Sequence, residues 1–336
     1  MLPVQVWYPT EEKFCRDKEP ELYMEKESCK NFEKVLGIPY LLIHLASVKT
    51  NSYKEVPISN QEPQYRVIVF SHGYTGLIKQ NTAQMETLAS NGYIVFSIAH
   101  TYEAADSRFP DGVSIPFSEE QTNKLDDDWD KYSYLEGASN YEYYKQTLDE
   151  KGKVFESLNV WRDDTIFVAN QIEKLNTGEI LSQFKDKLDI NNMGVFGHSF
   201  GGATAGQVCA ADKRFKAGIN MDGSPFLIYH NLSQPFMLMT TSESKNSLID
   251  GYNQKQKMLI VSVNNAEHND FTDMTFLLPG VKRIGTDILG KIDGDKQEDI
   301  MNEYILSFFN KYLKGIEEPL IDNRVESYPE VTTELR

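Results

Sequence analysis

The strongest constraint on the fold of this chain is a short apolar run, Asn192-Met193-Gly194-Val195-Phe196, that leads directly into Gly197-His198-Ser199-Phe200-Gly201. The run reads as a buried strand. The five residues after it fit Gly-x-Ser-x-Gly, the tight turn that lifts a serine hydroxyl above a sheet before a helix begins. The turn is strained, and a bulky side chain at either flanking glycine would collide with the neighbouring strand and helix. Phe200 to Ala211 is rich in Gly and Ala, as suits a helix packed closely on a sheet, and its first N–H groups would face developing negative charge. Ser199 is therefore the candidate nucleophile. The competing reading is a Gly-rich loop of an ordinary parallel α/β protein, against which the strand before and the helix after both weigh.

A serine hydroxyl needs an adjacent base, usually an imidazole oriented in turn by a carboxylate, and in this class of fold the chain order is Ser, acid, His. Of the six histidines only His230 and His268 follow Ser199. His230 leaves little chain for an intervening acid and reads as a surface or core histidine. His268 sits in the polar loop Asn264–Asp270, directly after the apolar run Met258–Val263, as expected of a base delivered after a late strand. Two acids compete. Asp222 ends the strand-like run Phe215–Met221 and is followed by Gly223, while Glu243 ends the run from Pro235. These would be the first and second strand ends after the turn, and many hydrolases take the acid from the second. The shorter Asp222 side chain restricts geometry better, so the residues alone favour it slightly and leave Glu243 as the alternative.

Strand-like runs at Val4–Tyr8, Val67–Ser71, Tyr93–Ile98, Met193–Gly197, Ala217–Asp222, Phe236–Thr240 and Met258–Val263 alternate with helical stretches near Asn81–Ser90, Trp161–Leu175, Ser199–Ala211 and Asp299–Leu313. The alternation predicts one α/β domain over residues 1–336, with a mostly parallel sheet and helices on both faces. Ser199, Asp222 and His268 then fall at carboxyl ends of strands, where such sheets carry their sites. Two stretches break the pattern. About 11–60 is polar and irregular apart from Tyr40-Leu41-Leu42-Ile43, and about 110–153 mixes acids with Tyr132, Tyr134, Tyr141, Tyr143 and Tyr144. Both read as insertions. The second is either a lid over an acyl pocket or a solvated helical excursion with its aromatics packed on the body.

The strings Val67-Ile68-Val69-Phe70-Ser71-His72-Gly73-Tyr74-Thr75-Gly76, Gly197-His198-Ser199-Phe200-Gly201-Gly202-Ala203-Thr204, Met221-Asp222-Gly223 and His268-Asn269-Asp270-Phe271-Thr272-Asp273, with the opening Val4-Gln5-Val6-Trp7-Tyr8-Pro9, resemble the platelet-activating factor acetylhydrolase family of α/β-hydrolases. The resemblance covers most of the chain and is weakest between about Thr101 and Leu158. It implies the α/β-hydrolase fold, Asp222 rather than Glu243 as the acid, and hydrolysis of a carboxylic ester with a short or oxidised acyl group, including the sn-2 ester of a phospholipid. It also implies an oxyanion hole from the backbone N–H groups of Phe200 and Tyr74. One departure stands in that second loop: the family often has glycine where Thr75 stands, and here Gly76 comes one residue later. His72 reads as a brace for the loop. Dienelactone-type, polyester or peptide hydrolysis is the alternative chemistry, and a non-catalytic binding module on the same fold is a third reading.

Composition disfavours several partner classes and leaves the small-molecule or lipid ester that the resemblance implies. A net charge of −16 leaves no basic stripe for nucleic acid and disfavours anionic membranes. No apolar run is long enough to span a bilayer, and the start lacks the regions of a signal peptide. Met1-Leu2-Pro3 opens almost directly on the first strand, which raises the expectation of a removed export or anchor segment; a natural reading frame beginning at this methionine would overturn it. Cys15 and Cys29 would pair only in an oxidising compartment, and Cys209 reads as core. No metal-ligand spacing and no nucleotide-type glycine loop implies a cofactor. Compartment and oligomeric state are left open by these residues.

Overall fold

A computed structural model describes residues 2–336 apart from 39, 131–151, 227–228, 230–231, 250, 253–257, 279, 281–287, 323–324 and 326–327. Its strands are β1 (Val4–Trp7), β2 (Tyr65–Ser71), β3 (Tyr93–Ile98), β4 (Asp106–Arg108), β5 (Ser114–Pro116), β6 (Leu188–His198), β7 (Phe215–Met221), β8 (Phe236–Thr241), β9 (Met258–Val263) and β10 (Val331–Leu335). Helices are α1 (Lys26–Leu36), α2 (Thr82–Ser90), α3 (Glu119–Asp130), α4 (Lys153–Thr177), α5 (Phe200–Ala211), α6 (Lys245–Ile249), α7 (Met274–Leu277) and α8 (Gly294–Phe309).

Eight strands form one sheet in the order β1-β3-β2-β6-β7-β8-β9-β10. The six inner strands are parallel, and β1 and β10 pair antiparallel at the two edges. The reason lies in residue alternation. In β2, Ile68 and Phe70 join a core with Met85 and Leu88 of α2 and Phe308 and Phe309 of α8. Val67 and Val69 point the other way, into a core with Val168 and Ile172 of α4 and Ala205 and Val208 of α5. A strand apolar on both faces is stable only where helices cover both, as crossover connections in a parallel sheet provide.

The first expected insertion is more ordered than its polar composition implies. Residues 26–36 form α1, whose Cys29 and Phe32 pack with Leu42, Leu45, Leu77 and Met274 in a third cluster beside the strand ends. Glu33 is buried there and accepts the Leu42 N–H at 2.7 Å. Of the run Tyr40–Ile43 only Leu42 is buried; Tyr40 is 88% exposed. At the second insertion, β4, just before it, and β5, inside it, form a hairpin, and Leu125 of α3 clusters with Leu158 and Trp161 of α4. Tyr132, Tyr134, Tyr141, Tyr143 and Tyr144, on which the lid reading depends, lie outside the described residues. Cys15, Cys29 and Cys209 are all free thiols. Among the described residues no helix is long and apolar enough to cross a membrane.

Candidate active site

Ser199 stands between β6 and α5 with φ 55° and ψ −122°, a conformation that few non-glycine residues adopt. Its N–H is tied to Met221 O at 2.8 Å, and its carbonyl accepts from Ala203 at 3.1 Å. The glycines of the motif are needed for clearance. A Cβ on Gly201 would lie 2.1 Å from Ser71 O and 2.4 Å from His72 O, and one on Gly197 would lie 2.3 Å from the Gly201 carbonyl. The turn therefore brings the backbone of β2's end into contact with the start of α5.

Asp222, directly after β7, also takes a positive φ of 52°. Its backbone N–H is held by Met239 O at 2.8 Å. Oδ2 lies 2.7 Å from His268 Nδ1, while Oδ1 accepts from Thr240 Oγ1 at 2.6 Å and Thr241 N at 3.2 Å. Burial pushes this carboxyl up, but the bond and charge of His268 with the two threonine donors outweigh it and hold it below its ordinary range. A carboxylate on Nδ1 fixes the His268 tautomer with Nδ1 protonated and Nε2 available as a base. The His268 ring is 46% exposed, whereas the Asp222 side chain is 4% exposed. Glu243 is exposed and makes no contact with His268 among the described residues; His230 lies outside them.

Phe200 follows the serine directly, and Tyr74 lines the same cavity as Ser199. Phe200 N–H belongs to the first residue of α5, where no intrahelical acceptor exists. The Tyr74 N–H has no backbone acceptor among the described residues. The orientation of its peptide is fixed from the carbonyl side: Gly73 O accepts from His72 Nδ1 at 2.6 Å and from Gly76 N at 2.8 Å. Thr75 adopts φ 56°, the left-handed region that suits glycine, so the loop keeps a glycine-like turn with a threonine in it. Its N–H is held by Glu103 O at 2.8 Å.

Behind this row stand His72, expected from the sequence to brace the loop, and further side chains that no motif marks. His72 Nε2 accepts the His100 N–H at 3.2 Å, and burial followed by the neighbouring His100 pushes its pKa down to about 3, so it is a neutral brace. His198 is likewise held down to about 3, first by burial and then by the His268 charge. Its Nε2 lies 2.9 Å from His268 O, and its Nδ1 lies 2.8 Å from Gln80 Nε2. A second serine–histidine–acid chain also exists: Ser71 Oγ is 3.2 Å from His100 Nε2, and His100 Nδ1 is 2.9 Å from Asp164 Oδ2. Ser71 is fully buried and the His100 ring stacks on Trp161 at 3.8 Å, so no substrate carbonyl reaches that serine. Connectivity alone would not have separated the two chains; burial does.

Ser199 and His268 open onto one cavity of about 160 Å³. Gly73, Tyr74 and Gln80 line its polar end, and Met24, Phe32, Leu36, Leu45, Leu277 and Leu278 its apolar wall. The wall comes from the 11–60 segment and the turn after His268, a contribution the polar composition of 11–60 concealed.

The chain matches the family model described as platelet-activating factor acetylhydrolase, isoform II, over residues 2–328. It is 28% identical to platelet-activating factor acetylhydrolase of Cavia porcellus, covering 93% of this chain and 69% of that protein. It is 26% identical to the same enzyme of Canis lupus familiaris, over 92% of this chain and 71% of that one. A probable 1-alkyl-2-acetylglycerophosphocholine esterase of Arthroderma benhamiae is 26% identical over 52% of this chain and 49% of its own. Among solved structures, a ferulic acid esterase from Streptomyces cinnamoneus superposes with a TM-score of 0.75 at 25% identity, covering 99% of this chain and 88% of that one. The α/β-hydrolase fold and the enzyme class read from the sequence, a hydrolase of carboxylic esters, agree with these relatives. The chain belongs to the platelet-activating factor acetylhydrolase, isoform II, family.

Proposed function

We propose that this protein is a serine carboxylic ester hydrolase in which Ser199 attacks the ester carbonyl, His268 takes its proton and Asp222 stabilises the imidazolium. The N–H groups of Phe200 and Tyr74 receive the oxyanion, the alcohol leaves with the proton from His268, and water repeats the sequence on the acyl-enzyme. The observation that carries this reading is a serine on a strained turn at the mouth of a cavity shared with an Asp-bound histidine. Fold alone would not carry it.

The substrate is an ester with a short or oxidised acyl group, such as the sn-2 acetyl ester of a phospholipid. Apolar walls favour an acyl chain, and their volume favours a small one: a cavity of about 150 Å³ holds a benzene-sized molecule, and this one is about 160 Å³. Residues 1–336 act as one domain, with the 11–60 segment supplying acyl-pocket wall. A p-nitrophenyl ester series from acetate to long acyl chains, run with Ser199→Ala and His268→Ala, tests the proposal. Activity that falls with chain length and vanishes in both variants is expected; undiminished activity in either variant contradicts it.

A further inference from the structure

We propose that Gln80 is a positioning residue of this site: its carboxamide, wedged between the Gly73 N–H and His198, fixes the tautomer through which His198 holds the His268 backbone. The inference rests on the reading of Ser199 and His268 just given and adds the residue that sets two of its loops together.

The polarity of the chain is determined at both ends by groups with only one role. A backbone N–H only donates, so Gln80 Oε1, 3.2 Å from Gly73 N, is the acceptor there. The same amide then presents Nε2 to His198 Nδ1 at 2.8 Å, which makes Nδ1 a bare acceptor. At the far side a carbonyl only accepts, so His198 Nε2 carries the proton given to His268 O at 2.9 Å. One neutral tautomer satisfies all three bonds. It links the loop before Tyr74, the residue before Ser199, and the residue that supplies the base. Gln80 and His198 are 8% and 3% exposed, so water does not substitute freely for either partner. Gln80's own backbone is anchored, its N–H to Leu77 O at 2.9 Å and its carbonyl to Asp273 N at 3.0 Å.

The displaced glycine of the oxyanion loop fits the same account. A Cβ on Gly76 would lie 2.0 Å from Gln80 Oε1, so a side chain there would evict the carboxamide. The charged and titratable groups facing His198 are His268, Asp222 and His72; the neutral amide is what meets its Nδ1.

The test uses Gln80→Met and Gln80→Glu in the full chain, with Ser199→Ala as reference. Gln80→Met removes the bonds to Gly73 and His198, with the longer one to Asn81 Oδ1 at 3.5 Å, and is expected to lower kcat about 10- to 100-fold at unchanged pH profile, the scale of a small misplacement of reacting groups. Gln80→Glu is isosteric and keeps all three bonds while one proton is shared between Glu and His198 Nδ1. When that proton leaves, a carboxylate faces a bare ring nitrogen. A new alkaline limb is therefore expected in kcat/KM for p-nitrophenyl acetate, falling about tenfold per pH unit above its midpoint. Long-range 1H–15N spectra of the wild type between pH 5 and 9 should show His198 as the Nε2–H tautomer, a readout independent of turnover. A Gln80→Glu profile parallel to the wild type, a Gln80→Met kcat within twofold of it, or an Nδ1–H ring at His198 each overturns the inference. Loss of folding in either variant, seen by circular dichroism, leaves the wild-type spectrum to decide alone. Retained turnover in Ser199→Ala overturns the underlying reading, and this inference with it.

Discussion

Gly201→Ala is the smallest change that tests whether the turn at Ser199 sets catalytic geometry. The added Cβ would fall 2.1 Å from Ser71 O and 2.4 Å from His72 O, against 3.4–4 Å for ordinary contact. Both obstacles are backbone, so no side-chain rotation relieves them. β2's end and the start of α5 must part by about an ångström, which moves the Phe200 N–H away from the loop that carries Tyr74. Displacement on that scale costs about 10²-fold in rate, and overpacking costs about 1–3 kcal/mol of stability. The assay is kcat for p-nitrophenyl acetate beside urea unfolding of the same protein. Gly280→Ala serves as control, because its Cβ would meet nothing within 4 Å. A Gly201→Ala enzyme within twofold of wild-type kcat would refute the reasoning, since the turn would then be tolerant of what the geometry forbids.

Acid sensitivity follows from the two buried imidazoles. His72 and His198 are held down to about 3 in the folded protein, first by burial, against about 6.5 in an unfolded chain. The unfolded state binds more protons in that window, so stability is complete above pH 6.5 and is lost as pH falls toward 3. Asp273 opposes this, because burial raises its carboxyl well above its ordinary range and the folded state holds that proton. The net slope expected from urea unfolding is about 1.4–2.7 kcal/mol per pH unit between roughly pH 5.5 and 4; a flat profile contradicts the buried neutral rings. In the cavity wall, Leu277→Ala should shift acyl preference toward longer chains and Leu277→Phe toward acetate, each by about tenfold in the kcat/KM ratio of hexanoate to acetate. Equal ratios in both variants would remove this wall from the acyl pocket.

The inner strands were legible because a parallel sheet buries both faces: Val67–Phe70 and Met258–Val261 read as unbroken apolar runs. Ser199 and His268 stand out as candidates because glycines and the scarcity of histidines restrict where a serine and a later base can stand, whereas two strand ends offered Asp222 and Glu243 alike and the family resemblance separated them. The helix α1 was hidden because two of its four buried positions, Ser28 and Glu33, are polar, which blurs the apolar stripe. The edge strand β10 was hidden by the polar, half-exposed sequence Val-Thr-Thr-Glu-Leu. No sequence pattern joins Gln80 to His198 across 118 residues; that contact exists only once β2 and β6 lie side by side.

In the proposed mechanism Ser199 carries the acyl group. Its most direct test is peptide mapping by mass spectrometry after reaction with a fluorophosphonate ester, which phosphonylates an activated serine, with turnover measured in parallel. One adduct per chain is expected, on the peptide containing Ser199, with loss of turnover in proportion to labelling and no adduct in His268→Ala on the same timescale. Labelling of another residue in step with the loss of turnover, or full turnover in a chain labelled at Ser199, would contradict it.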